Sequence, residues 1–202
     1  MSATTNTLIS AVADRRSVYA LSNESTISDA RLEEIVQKVL LAAPSAFNTQ
    51  STRIVILLGN NHRKLWDIAK TAVAPHVSGE QAKATNAKLD AFQGAYASIL
   101  FFEDPSPYEP LAGFKMYADK FGGWREQTSG MHQLLVWTAL EAEGLGANVQ
   151  HYNPLIDEEV RKTWNINPKW QLLAQLVIGK PVGDLPLPKD KKSLEDRYRV
   201  IA

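Results

Sequence analysis

Arg15-Arg16-Ser17-Val18-Tyr19, at the end of an N-terminal helical pattern, and Pro44-Ser45-Ala46-Phe47-Asn48-Thr49-Gln50, just after the next one, are the stretches that decide how this chain is read. The first sets two guanidinium groups and a hydroxyl within three positions, which suits bidentate binding of a phosphate. The second sets a hydroxyl and two amides at near-alternate positions, which suits the hydroxyls of a ribityl chain and the polar edge of a flavin ring. Taken alone, the arginine pair reads first as cations placed at a helix C-terminus.

A third segment, Leu145-Gly146-Ala147-Asn148-Val149-Gln150-His151-Tyr152-Asn153, follows a long helical pattern containing Trp137-Thr138-Ala139-Leu140-Glu141. In this order and spacing the three segments resemble the FMN-dependent nitroreductase family. Within it the chain is most similar to the small branch of fungal fatty-acid-repression and oxidative-stress nitroreductase-like proteins, from about residue 8 to about residue 200.

The resemblance implies a single α+β domain over residues 1–202, with a central, mostly antiparallel β-sheet flanked by helices, and an intertwined homodimer with one FMN at each of two interface sites. It implies that Arg15, Arg16 and Ser17 hold the FMN phosphate. Ser45, Phe47 and Asn48 would reach the same flavin from the partner subunit, with Gln50 near the ribityl chain or the ring edge. Gly146, Ala147 and Asn148, expected as a loop after the central helix, would pack their backbone against the ring. Lys189 or Lys191 resembles the family's C-terminal basic residue that closes over the phosphate.

The implied activity is two-electron, ping-pong transfer from NADH or NADPH to a small nitroaromatic or quinone-like acceptor. No acid–base dyad is needed, because the cofactor carries the chemistry and the protein supplies position and electrostatics. Two other readings are a flavin-binding redox sensor or regulatory protein with little turnover, and a structural dimer with no cofactor. The chain departs from the better-known bacterial members at Tyr19, where many carry a basic residue, and at Ser51-Thr52, which replace the common Pro-Trp.

Composition narrows the alternatives. At 202 residues and 45% hydrophobic content the length suits one domain with a sizeable core. Lys plus Arg and Asp plus Glu number 22 each, so no global field favours nucleic acid or a membrane surface. With no cysteine, disulfides, thiolate nucleophiles and Cys-ligated metals are excluded together. The N-terminus lacks the pattern of a secretory signal, and the longest apolar runs, 54–58 and 99–102, are too short to span a bilayer. A soluble cytoplasmic enzyme is therefore expected. His62, His76, His132 and His151 lack metal-ligand spacing. Gly144-Leu145-Gly146-Ala147 follows a helix, so it is not a dinucleotide loop.

Apolar periodicity predicts the elements. Leu8, Ile9 and Val12 mark a first helix; Leu32, Ile35, Val36, Val39 and Leu40 mark a second, with Ser28 as N-cap. Arg53 to Leu58 reads as a central strand buried on both faces, followed by a helix over 62–73, further helix within 75–95, and a strand over 97–102. The proline-rich 103–110 stretch is expected to be an irregular surface loop. The long helix is expected to start at Thr128 or Ser129 and to be ended by Gly144 and Gly146. A short helix over 157–164, a buried strand over 171–178 and a strand-like tail at Tyr198 to Ile201 complete the reading.

Overall fold

The computed structural model describes residues 3–201. Four strands, β1 (Thr52–Leu58), β2 (Ala97–Glu103), β3 (Gly146–Gln150) and β4 (Gln171–Gly179), form one sheet in the order β1-β2-β4-β3. Every neighbouring pair is antiparallel. Six helices cover it: α1 (Ala3–Asp14), α2 (Asp29–Ala42), α3 (Gly59–Val73), α4 (Gly79–Gln93), α5 (Phe121–Ala142) and α6 (Asp157–Thr163). The expected α+β class and antiparallel sheet are thus observed.

The two middle strands explain the layering. Side chains alternate faces along a strand, and all seven residues of β2 are buried. Leu100 and Phe102 pack with Trp66, Leu89 and Phe92 of α3 and α4, whereas Ile99 and Phe101 pack with Leu32, Val36, Val136 and Leu140 of α2 and α5. The sheet is therefore the middle of three layers. Ser28 caps α2 as expected, its side chain accepting from Arg31 N at 3.2 Å.

Five expectations need correction. β1 is not central: among the described strands it is an edge, and five of its seven residues are only half-buried. An aliphatic run signals two apolar faces, not a place in the sheet order. Residues 146–150 are strand β3 rather than a loop, because β4 supplies a full antiparallel register for them. The long helix starts seven residues before Thr128. Thr128 and Ser129 bond within it instead of capping it: Thr128 Oγ1 donates to the carbonyl of Trp124 at 2.8 Å, and Ser129 Oγ accepts from Gln133 Nε2 at 3.0 Å. Gly144, at φ +85°, does end this helix, while Gly146 opens β3. The proline-rich stretch is only partly irregular, since Glu103 closes β2 and Ser106–Gly113 winds into 3₁₀ turns. Among the described residues the tail at 198–201 pairs with no strand.

Close approach at the sheet's end fixes the N-terminal segment. A Cβ on Gly146 would stand 2.8 Å from Leu21 Cδ2, and one on its partner Gly179 would stand 2.4 Å from the carbonyl oxygen of Ser22. Only glycine lets residues 18–22 cross there. Backbone bonds then tie that crossing down, with Val18 N donating to Ala147 O and Ser22 N donating to Lys180 O, each at 2.9 Å.

Candidate functional site

The Arg15–Ser17 segment lies where α1 meets α5 and β3. The main-chain N–H of Arg16 donates to Glu141 Oε2 at 2.9 Å, and Trp137 Nε1 donates to Oε1 of the same carboxylate at 2.9 Å. Burial raises the pKa of Glu141; the Trp137 and Arg16 hydrogen bonds and the charges of Arg15 and Arg16 oppose that rise. One carboxylate one turn beyond Trp137 therefore orients both the peptide of Arg16 and the indole ring. The Arg15 guanidinium lies over that indole, 4.3 Å from its centroid.

Among the described residues no hydrogen-bond acceptor engages the Arg15 guanidinium or the Ser17 hydroxyl. Arg16 is partly committed, with Nη1 donating to the carbonyls of Ala13 and Arg15. Ser17 itself pairs with Ala147 of β3 through a parallel bridge. Gly146, Ala147 and Asn148 are buried behind this segment. The Asn148 side chain donates to the carbonyl of Val18 at 2.8 Å and accepts from Gln150 Nε2 at 2.8 Å. It thereby ties β3 to the residue that follows Ser17.

Two depressions adjoin these arginines. One, of about 390 Å³, lies beside Arg15, Arg16, Thr138, Glu141, Pro181 and Leu185. The other, of about 440 Å³, is a groove along α5 lined by Arg15, Gly130, Gln133, Leu134, Trp137 and Val149. The α5 residues of the groove recur at three- and four-residue spacing and so form one stripe of the helix. Lys189 and Lys191 are exposed in the tail, which leaves the body of the protein at Leu185, next to Arg15 and Arg16.

The second predicted segment is elsewhere. Ser45, Phe47 and Thr128 share a depression of about 510 Å³ with Trp124, Gln127 and Met131, at the N-terminal half of α5. It shares no lining residue with the Arg15 groove. Its backbone is unusual: Phe47, Asn48 and Gln50 all hold positive φ, at 53°, 53° and 48°. Each non-glycine residue held there costs roughly 1–3 kcal/mol and persists only where its surroundings enforce it. The enforcement is visible. Gln50 N donates to Ser45 Oγ at 2.9 Å, Asn48 N donates to Ser45 O at 3.0 Å, and Arg53 Nη1 donates to Gln50 O at 2.7 Å. Phe47, 55% exposed, stacks on Phe114 with centroids 5.9 Å apart and tilts against Trp124 at 5.7 Å.

A match to the nitroreductase family model spans residues 12–180. The chain is 34% identical to the nitroreductase FRM2 of Saccharomyces cerevisiae over 199 residues, which is 97% of each protein. The chain belongs to the nitroreductase family. It is also 38% identical to HBN1 of the same yeast over 181 residues, covering 87% of this chain and 88% of that one. Among solved structures, the nitroreductase CinD from Lactococcus lactis, in complex with chloramphenicol, superposes with a TM-score of 0.86 at 39% identity, covering 96% of this chain and all of CinD. Membership makes this nitroreductase an oxidoreductase.

Several residues that build the site carry no motif. Trp137 and Glu141 stand within a quoted helical segment, and their four-residue spacing is the signal that places them on one face. Trp124, Phe114 and Gln133 gave no such signal, because only the folded chain brings them to Phe47 and Arg15.

Among the described residues no group of His, Asp and Glu could hold a metal ion, and no helix is long and apolar enough to cross a membrane.

Proposed function

We propose that this nitroreductase is an FMN-dependent NAD(P)H oxidoreductase that reduces nitroaromatic or quinone-like acceptors, and that it works as an intertwined homodimer. The donor set fits the cofactor. Arg15 offers a planar fork without a competing acceptor and Ser17 a free hydroxyl, the chemistry a phosphate requires. Lys189 or Lys191 of the adjoining tail adds a cation over the same group. When bound, FMN supplies two-electron redox chemistry that no side chain here provides. Trp137 and Gln133 border the groove running from the arginines, and the 44–50 loop presents Ser45, Phe47 and Asn48 to the ring from the other side.

The observation that carries the dimer is the division of the site. The Arg15 groove and the Phe47 depression share no lining residue although they meet along α5 at Gly130 and Met131, so the arginines and the 44–50 loop serve separate depressions within one chain. A two-fold partner whose α5 packs beside this one sets the loop of one copy against the arginines of the other. Met131, Leu134 and Leu135 of α5 and Leu8, Ile9 and Val12 of α1 are exposed and apolar, as such a contact needs. Exposed Tyr198, Val200 and Ile201 of the tail are further apolar surface that a second copy would cover.

CinD has been solved with 4-nitrophenol and with nicotinic acid, at 39% and 40% identity to this chain. By analogy one pocket here receives a nicotinamide and an aromatic acceptor in turn. Flavin absorbance in the purified protein, together with acceptor-dependent NADH or NADPH oxidation, tests the proposal. Flavin without turnover would favour a redox sensor, and a colourless protein unable to bind added FMN would refute both.

A further inference from the structure

Glu103, at the end of β2, is fully buried. A buried carboxylate is costly unless hydrogen bonds replace its water. Both oxygens are occupied here: Ser51 Oγ donates to Oε2 and Thr52 Oγ1 donates to Oε1, each at 2.6 Å. Successive residues of a strand point to opposite faces, so two adjacent hydroxyls reach one carboxylate only where the chain is still bending. Thr52 is the first residue of β1. The Glu103 carboxylate thereby fixes the direction in which the chain leaves the 44–50 loop.

The bonding continues into α5. His132 Nδ1 lies 2.9 Å from the carbonyl of Thr128 and 3.2 Å from Thr52 Oγ1. A carbonyl only accepts, so Nδ1 carries the proton, and Thr52 Oγ1, whose own hydrogen is committed to Glu103, accepts from it as well. Thr128 lines the same depression as Ser45 and Phe47. A line of hydrogen bonds thus runs from β2 through the start of β1 to the floor of that depression. Its neighbour reinforces it, with Ser51 O accepting from Asp104 N at 2.9 Å and Arg53 Nη2 donating to Asp104 Oδ2 at 2.9 Å.

We propose that Glu103 is a positioning residue of the redox site: by clamping Ser51 and Thr52 it holds the 44–50 loop in the left-handed conformation that presents Phe47 and Asn48, and so sets the grip on the acceptor without touching it. The inference rests on the reading that this loop faces the flavin of a second copy. It adds an anchor at Ser51 and Thr52 to the Ser45 and Arg53 bonds that hold three non-glycine residues at positive φ in a four-residue stretch. It also gives a role to Ser51-Thr52, the pair by which this chain departs from the pattern of better-known members.

Glu103→Gln keeps the volume and one acceptor oxygen but turns an amide nitrogen toward the other hydroxyl. Glu103→Ala removes both acceptors. In the flavin-free, full-length protein, hydrogen exchange at Asn48, Thr49 and Gln50 should quicken at least tenfold in Glu103→Gln, while amides between β2 and β4 keep their rates. In the flavin-loaded enzyme the KM for 4-nitrophenol should rise severalfold with kcat within twofold, and Glu103→Ala should exceed Glu103→Gln in both effects. If Glu103→Ala fails to fold, Ser51→Ala, which removes one donor, supplies the graded comparison. Unchanged exchange in the loop, or a loosened loop with unchanged KM, overturns the positioning role. The exchange measurement needs no cofactor, so a loosened loop in a protein that binds no flavin would refute the flavin reading while leaving the clamp standing.

Discussion

Replacing Arg15 by Ala isolates the feature on which the phosphate assignment depends. The guanidinium lies 4.3 Å from the Trp137 centroid and, among the described residues, donates to no acceptor, so its fork is oriented without being spent. A charge-assisted hydrogen bond contributes about 1.5–3 kcal/mol. At about 1.4 kcal/mol per factor of ten, losing one such bond weakens FMN binding by roughly ten- to more than a hundredfold. Arg16→Ala should cost less, because Arg16 Nη1 already donates to the carbonyls of Ala13 and Arg15. Arg15→Lys should fall between the wild type and Arg15→Ala, since it keeps the charge and loses the planar fork. Titrating apo-protein with FMN and following flavin fluorescence measures all three. Folding is a weak confounder: a partly exposed cation–π contact is worth only about 0.5–1 kcal/mol, so Arg15→Ala should melt within a few degrees of wild type. Affinity within threefold of wild type in a folded Arg15→Ala protein would refute the reasoning and leave the pair as helix-end cations.

Sedimentation at micromolar concentration should give one species near twice the 22.4 kDa chain mass, and removing residues 185–202 should shift it toward the monomer; a folded monomer that retains FMN would overturn the shared site. Double-reciprocal plots at several fixed acceptor concentrations should be parallel, with high acceptor competing against NAD(P)H, whereas intersecting plots would require a second binding site. Stability should decline on acidification through His62, whose pKa burial pushes down to about 4 and whose ring stays neutral beside Ser98 Oγ at 2.9 Å. An unfolded histidine protonates near about 6.5, so the contribution is full above that pH and drains away as pH falls toward 4; His62→Gln should flatten the loss seen in denaturant midpoints between pH 7 and pH 5, and an unchanged slope would assign it elsewhere.

What could be read from sequence divides along physical lines. β2 and β4 were legible because their apolar runs need no partner to be recognised as buried. β3 was not, since Gly146-Ala147-Asn148-Val149-Gln150 has one β-branched residue and its strand character comes from pairing with Gln175–Gly179. Thr128 and Ser129 resemble caps chemically, yet a hydroxyl can bond back to the preceding turn as readily as it can start a helix. The site motifs named side chains but not the backbone that presents them: Asn48 is of a type that tolerates the left-handed region, whereas nothing in Phe47 or Gln50 announces it. Glu103 and His132 lie 51 and 80 residues from the Thr52 they engage, beyond any local pattern.

In the proposed reading the site is incomplete in one chain. A loop whose left-handed residues are held by hydrogen bonds to Ser45 and from Arg53 is a structure maintained against a penalty. In this chain Phe47 lines a depression that shares no lining residue with the Arg15 groove. The same α5 carries an exposed apolar stripe in which Met131 lines that depression, Leu134 lines the Arg15 groove and Leu135 adjoins them. In the proposed dimer, covering that stripe with the α5 of a second copy would remove apolar surface from water and, by two-fold symmetry, would bring each loop to the other copy's arginines. Dimer stability and flavin affinity are then linked, so a polar substitution such as Leu135→Glu should lower both together although it touches neither phosphate donor. A variant that loses the dimer while keeping wild-type FMN affinity would break that link.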